Sequence, residues 1–137
     1  MENKEFAAEL EKRTRKFAVR IIKLSISLPK SEEGRVIKNQ ITKSGTSVGA
    51  NYREANRARS KADFKNKVKI SESEASETQY WLEIIEEMDW INKGKLEHIK
   101  NECSELLAIF TSIISKLWEE SGLKLKERAF TSFAFQL

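Results

Sequence analysis

Leu10, Thr14, Phe17, Ile21, Leu24 and Leu28 follow one another at steps of four and three residues, and the chain repeats that rhythm three more times. Such spacing returns side chains to one face of an α-helix, so each run reads as a helix with a single apolar stripe. The second run is Ile37, Ile41, Ser44, Val48, Asn51 and Ala55. The third is Phe64, Val68, Ser71, Ala75, Thr78, Leu82 and Ile85. The fourth is Leu96, Ile99, Cys103, Leu106, Phe110, Ile113 and Leu117, widened by Leu107, Ile109 and Ile114. No alternating strand pattern interrupts them. Four striped helices must cover their stripes with one another, and short connections favour antiparallel neighbours.

The breaks fall where this arrangement needs them. One proline and five glycines stand among 137 residues. Pro29 and the polar run after it close a first helix over about residues 3–28. Ser31 or Glu32 opens a second, over about 32–57. Ser60 caps a third over about 61–91, with Asp63 near its positive end. A turn at Asn92-Lys93-Gly94-Lys95 leads to a fourth over about 95–119, ended by Gly122. The expected fold is all-α: one domain over residues 1–120, an antiparallel up-and-down four-helix bundle. Residues 121–137 form a tail whose Phe130, Phe133 and Phe135 are costly to leave in water. The tail is expected to dock on a hydrophobic groove of its own or a neighbouring chain.

The third helix carries a second stripe, Ile70, Glu74, Glu77, Trp81, Ile84 and Met88. One seam serves the chain's own core, and the other calls for a further helix or another subunit. Carboxylates among apolar neighbours need partners. Asn51, Arg53 and Arg57 are the nearest if the second and third helices run antiparallel. On the second helix, Ser44, Gly45, Ser47 and Gly49 make a small-residue surface for close approach of another backbone. The glycine spacing and lysine of a P-loop are missing.

Little in the chain offers catalysis. His98 and Glu102 are a weak metal pair, and Cys103 sits on an apolar stripe with nothing nearby to lower its pKa. No nucleophilic triad, zinc spacing or dinucleotide fingerprint occurs. No enzymatic activity, metal or cofactor is expected. A lone cysteine implies a reducing, cytoplasmic setting, and no apolar run approaches the ~20 residues of a membrane span. The N-terminal residues lack the apolar core of a secretion signal.

Charge is segregated. Residues 35–69 hold ten basic residues against two acids, whereas residues 70–105 hold ten acids against three basic residues. Arg13, Lys16, Arg20 and Lys23 share one face of the first helix, and Lys61, Lys65 and Lys69 share one of the third. Arg53, Arg57 and Arg59 crowd the corner between the second and third helices. Tyr52 is the only aromatic near that corner, so stacking on splayed bases has little support. The pattern fits sequence-tolerant phosphate contact, or a surface that pairs with acids of another copy.

An ordered set runs through this region: Gln40-Ile41, Ser44, Ser47-Val48, Asn51, Glu54, Arg59-Ser60, Asp63-Phe64, Val68, Ile70 and Glu77. With it the chain resembles, over roughly residues 5–120, the four-helix-bundle family of proteins encoded within intervening sequences of bacterial large-subunit ribosomal RNA genes. It is also similar to the accessory variability determinant proteins of diversity-generating retroelements. Gly49-Ala50, Tyr52-Arg53 and the phenylalanine-rich tail depart from the family pattern. The resemblance implies a ring of five identical copies, a basic surface that binds RNA or DNA, and no enzymatic activity. The candidate nucleic-acid contacts are Arg13, Lys16, Arg20, Lys23, Arg53, Arg57, Arg59, Lys61 and Lys65. The candidate oligomer interface is Ile70, Glu74, Glu77, Trp81 and Ile84. The expected function is a non-enzymatic, self-associating bundle with a basic face for nucleic-acid backbone; the alternative is a protein–protein scaffold without nucleic acid.

Overall fold

The computed structural model of the chain describes residues 4–120 and Gly122. The tail docking expected of Phe130, Phe133 and Phe135 lies outside the described residues. Four helices form, α1 (Lys4–Ile26), α2 (Glu32–Ala55), α3 (Lys61–Met88) and α4 (Lys93–Glu120), and no strand occurs among the described residues.

Side chains placed where backbone donors would otherwise go unpaired set the helix starts. The Ser31 hydroxyl accepts from the Gly34 amide at 3.1 Å, and the Ser60 hydroxyl accepts from the Asp63 amide at 3.0 Å. Four helix boundaries differ from the sequence expectation by two residues or more: α1 and α2 each stop two residues early, at Ile26 and Ala55, and both ends of the α3–α4 junction move. Asp89 adopts a left-handed conformation at φ 57° and stops α3 at Met88, two residues before Trp90-Ile91. The Asn92 side chain then accepts from the Gly94 and Lys95 amides at 2.9 and 3.3 Å. Lys93-Gly94-Lys95 is therefore the first turn of α4 and not a loop, because a cap one residue earlier outweighs the glycine.

Each helix lies antiparallel against its neighbour in sequence. The Ser71 hydroxyl donates to the Val48 carbonyl and the Thr78 hydroxyl to Ser44 Oγ, both at 2.9 Å, which fixes α3 against α2. The Cys103 thiol donates to the Ala75 carbonyl at 3.3 Å, which sets α4 on α3. α1 meets α2 across the two glycines. A Cβ at Gly45 would stand 2.7 Å from Ile21 Cγ2, and one at Gly49 would stand 2.9 Å from Thr14 Oγ1. The small-residue surface is thus a helix-to-helix seat. α4 returns to α1 but touches it more sparsely than the other adjacent pairs touch.

The predicted stripes fill the core, with Phe17, Ile21, Ile41, Val48, Val68, Leu82, Leu106 and Phe110 all enclosed. Two aromatic residues add to the core that the stripes predict. Tyr52 is fully buried, its ring 5.7 Å from that of Phe110, so it belongs to the core and is not presented for base stacking. Trp118, absent from the predicted stripe, is buried while Leu117 stays at the core's edge.

Candidate functional site

The antiparallel order brings the start of α1, the α2–α3 turn and the end of α4 to one end of the molecule. There they enclose an open groove of about 1050 Å³. Its apolar lining comes from Phe6, Ala55, Phe64, Ile113 and Leu117, and Arg59 and Lys61 stand among its cations. Lys12, Arg15 and Lys116 join them. Sequence reasoning passed over these three, although the antiparallel order alone would have placed both termini of the bundle beside the basic corner.

The predicted basic residues do not form one continuous site. Arg53, Arg57, Arg59 and Lys61 are exposed around the corner. Lys65 is half-buried, with its ammonium 3.6 Å from the centroid of the Trp118 ring. Burial pushes its amine below the ordinary lysine value, and Lys69 pushes the same way. Arg13 is committed elsewhere. Its Nε donates to Glu102 Oε2 at 2.8 Å and its Nη2 to Glu102 Oε1 at 2.7 Å, and Nη2 also reaches Glu105 at 3.0 Å. Lys16, Arg20 and Lys23 continue from Arg13 along the same flank of α1, with Lys16 and Lys23 exposed and Arg20 half-buried. Two groups therefore exist, one at the corner and one along the α1–α4 seam, and Arg13 closes that seam.

His98 is exposed, and its sequence neighbour Glu102 is occupied by Arg13. No group of three or more histidine, cysteine or acidic side chains able to hold a metal occurs among the described residues. Cys103 is buried, and burial first, then Glu102, pushes its thiol up to about 12.

The second stripe of α3 is only partly covered. Ile70 is 45% exposed and Met88 50% exposed, while Trp81 and Ile84 are half-buried. The Trp81 indole donates to Glu77 at 3.1 Å, and the Tyr80 ring meets that of Trp81 edge-on at 5.0 Å. Glu74 is half-buried. Burial and then the neighbouring Glu77 raise its carboxyl above the ordinary value, and Lys43 of α2 acts against them. Lys43, and neither Arg53 nor Arg57, is thus the cation that acts on Glu74. The register pairing Ser44 with Thr78 carries the two arginines toward the other end of α3, and the Asn51 amide donates to the Ser47 carbonyl in its own helix.

A further apolar patch escaped the sequence reading. Val19, Ile22 and Ile26 are all exposed on α1, on the side away from its core stripe. Their steps of three and four residues were the available signal.

Among the described residues, no helix is long and apolar enough to cross a membrane. The family model described as 23S rRNA-intervening sequence protein matches residues 8–112. The chain is also similar to a solved structure of a protein of unknown function from the S23 ribosomal protein family of Bacteroides thetaiotaomicron VPI-5482. The two share 42% identity, with a TM-score of 0.72, over 77% of this chain and 97% of that one. No curated protein matches the chain.

Proposed function

Since this chain belongs to the 23S rRNA-intervening sequence protein family, we propose that it works by assembly and not by catalysis: identical copies close into a ring that presents repeated basic corners to a nucleic-acid backbone. The observation that carries the reading is that one chain exposes two unlike apolar patches. Val19, Ile22 and Ile26 stand on α1, and Ile70, Trp81, Ile84 and Met88 stand on α3. A two-fold dimer needs only one self-complementary patch, whereas a ring needs two different ones that fit each other. Charge supports the same pairing. Arg15, Lys16 and Lys23 flank the first patch, and Glu74, Glu77 and Glu87 accompany the second. Five copies is the size that the family resemblance implies.

In this reading the α1 cations serve the contact between copies, and the corner residues Arg53, Arg57, Arg59, Lys61 and Lys65 serve phosphate. Repeated weak sites sum to useful avidity when geometry lets them engage together. The contacts would be sequence-tolerant and weakened by salt. The test is mass determination by light scattering, with and without a mixed RNA pool, across a salt series. A single oligomer that takes up RNA at low salt and releases it as salt rises is the expected result. A monomer would remove the ring, and uptake unaffected by salt would remove the phosphate contact.

The scaffold reading stays as the second, because in the proposed ring the cations beside the α1 patch would meet the acids beside the α3 patch with no nucleic acid needed. An oligomer that forms but leaves RNA free at every salt concentration selects it.

A further inference from the structure

We propose that the groove at the α1–α4 end is the seat of the chain's own C-terminal segment, Leu123 to Leu137. The last turns of α4 form one wall of the groove through Ile113, Leu117 and Glu120. Immediately beyond, Gly122 takes φ 77°, a conformation open to glycine that ends the helix and lets the chain turn from its axis. Gly122 therefore stands just past the α4 wall of the groove, where the segment begins.

Its chemistry matches what it meets there. Phe6, Ala55, Phe64, Ile113 and Leu117 give the groove an apolar lining, with Phe6 42% exposed. The segment brings Leu123, Leu125, Phe130, Phe133, Phe135 and Leu137. Its three phenylalanines carry roughly 450–750 Å² of surface that water would otherwise hold. At about 1050 Å³ the groove lies at or above the size of small-molecule pockets, which run to roughly 1000 Å³, and suits a stretch of chain.

Reach favours the same copy as host. Phe130 lies eight residues past Gly122, and an extended chain of that length spans up to about 29 Å. The α1 wall runs from Lys4 to Arg15, a distance of about 17 Å along the helix axis. A tether this short holds its end at an effective millimolar concentration, above that of a second copy at ordinary protein concentration. The proposal depends neither on RNA binding nor on ring formation.

Two measurements on the full-length chain test it. The first introduces Ala58→Cys and Ser132→Cys together, with Cys103 left in the core, and oxidises the purified protein. Expected is one bridge within a single chain, seen as the loss of two mass units without a covalent dimer. Bridges only between chains, or none, would overturn the proposal. The second replaces Phe130, Phe133 and Phe135 by serine and follows 1-anilinonaphthalene-8-sulfonate fluorescence. A several-fold rise with helix content unchanged is expected, because the vacated lining becomes open to the dye. Dye binding equal to that of the parent protein would overturn the proposal as well.

Discussion

Arg13 on α1 and Glu102 on α4 form a two-pronged pair, the guanidinium donating twice to one carboxylate at 2.8 and 2.7 Å. The pair spans the most sparsely packed of the adjacent helix contacts. Glu102 is well covered, with 17% of its side chain exposed, while Arg13 keeps 36%. Hydrogen bonding to Glu102 leads the effects that hold the guanidinium even more firmly charged than usual. Such a raised cation stabilises at every pH below its unfolded value, so the arginine itself adds no pH dependence in the working range.

Removing either partner of this pair loosens one seam and leaves the rest of the core intact. Arg13→Ala should cost about 1 kcal/mol, the upper range for partly exposed pairs with bidentate geometry. Urea denaturation reads the shift. Added salt should shrink the difference between the two proteins.

Gly45 and Gly49 carry an opposite expectation from that of helix propensity. Alanine would gain about 1 kcal/mol in an open helix. Here its Cβ meets Ile21 Cγ2 at 2.7 Å, or Thr14 Oγ1 at 2.9 Å with Thr14 backbone at 3.3 Å. Overpacking typically costs about 1–3 kcal/mol, so Gly45→Ala and Gly49→Ala should lower the thermal midpoint. A rise would show that α1 shifts freely on α2.

Glu74 has a carboxyl raised by burial and by Glu77, so the folded state holds its proton more tightly than the unfolded chain does. Below the ordinary value of 4.5 both states are protonated and no penalty exists. As pH rises from there through the folded value, stability is lost. Glu74→Gln should therefore stabilise the protein near pH 7, with the advantage fading as pH falls toward 4.5. Urea midpoints at several pH values check both sign and window.

Cys103 should resist alkylation in the folded protein. Its thiol is buried, donates to the Ala75 carbonyl and is pushed up to about 12. Iodoacetamide at pH 8 should leave the native mass unchanged and add one group once urea unfolds the chain.

The two exposed patches and the basic corner can be separated by substitution. On the proposed assembly, Ile22→Glu or Ile70→Glu should reduce the mass in solution without unfolding the chain, since both side chains point outward. Arg57→Ala and Arg59→Ala should leave that mass alone. Each should lessen the steepness of the salt dependence of RNA binding by about one phosphate contact.

Helix number, order and core were legible because the three–four rhythm depends on local spacing alone. Leu10 to Leu24 on α1, with Leu28 just beyond its end, and Val68 to Ile85 on α3 are buried as that spacing requires. The helix ends were less legible, since Asp89 stops α3 through a left-handed turn that aspartate adopts only in some contexts. The site was hardest. Whether Arg13 is a free cation depends on Glu102, 89 residues away. Whether Tyr52 faces solvent depends on Phe110. Such facts live in the register between helices, which a single stripe leaves open. The second apolar patch on α1 was written in the sequence but lay among cations that drew the reading elsewhere.

Each helix leans chiefly on the one before and the one after it along the chain, with only a thin return contact from α4 to α1. Most of what holds the native state is therefore short in sequence separation, and little loop entropy must be spent before the first contacts form. The isolated chain should find its fold in microseconds to milliseconds, as low-contact-order helical proteins do. A slow phase that quickens with protein concentration would then report a meeting of copies, whereas one indifferent to concentration would report isomerisation of the bond before Pro29 in the unfolded chain.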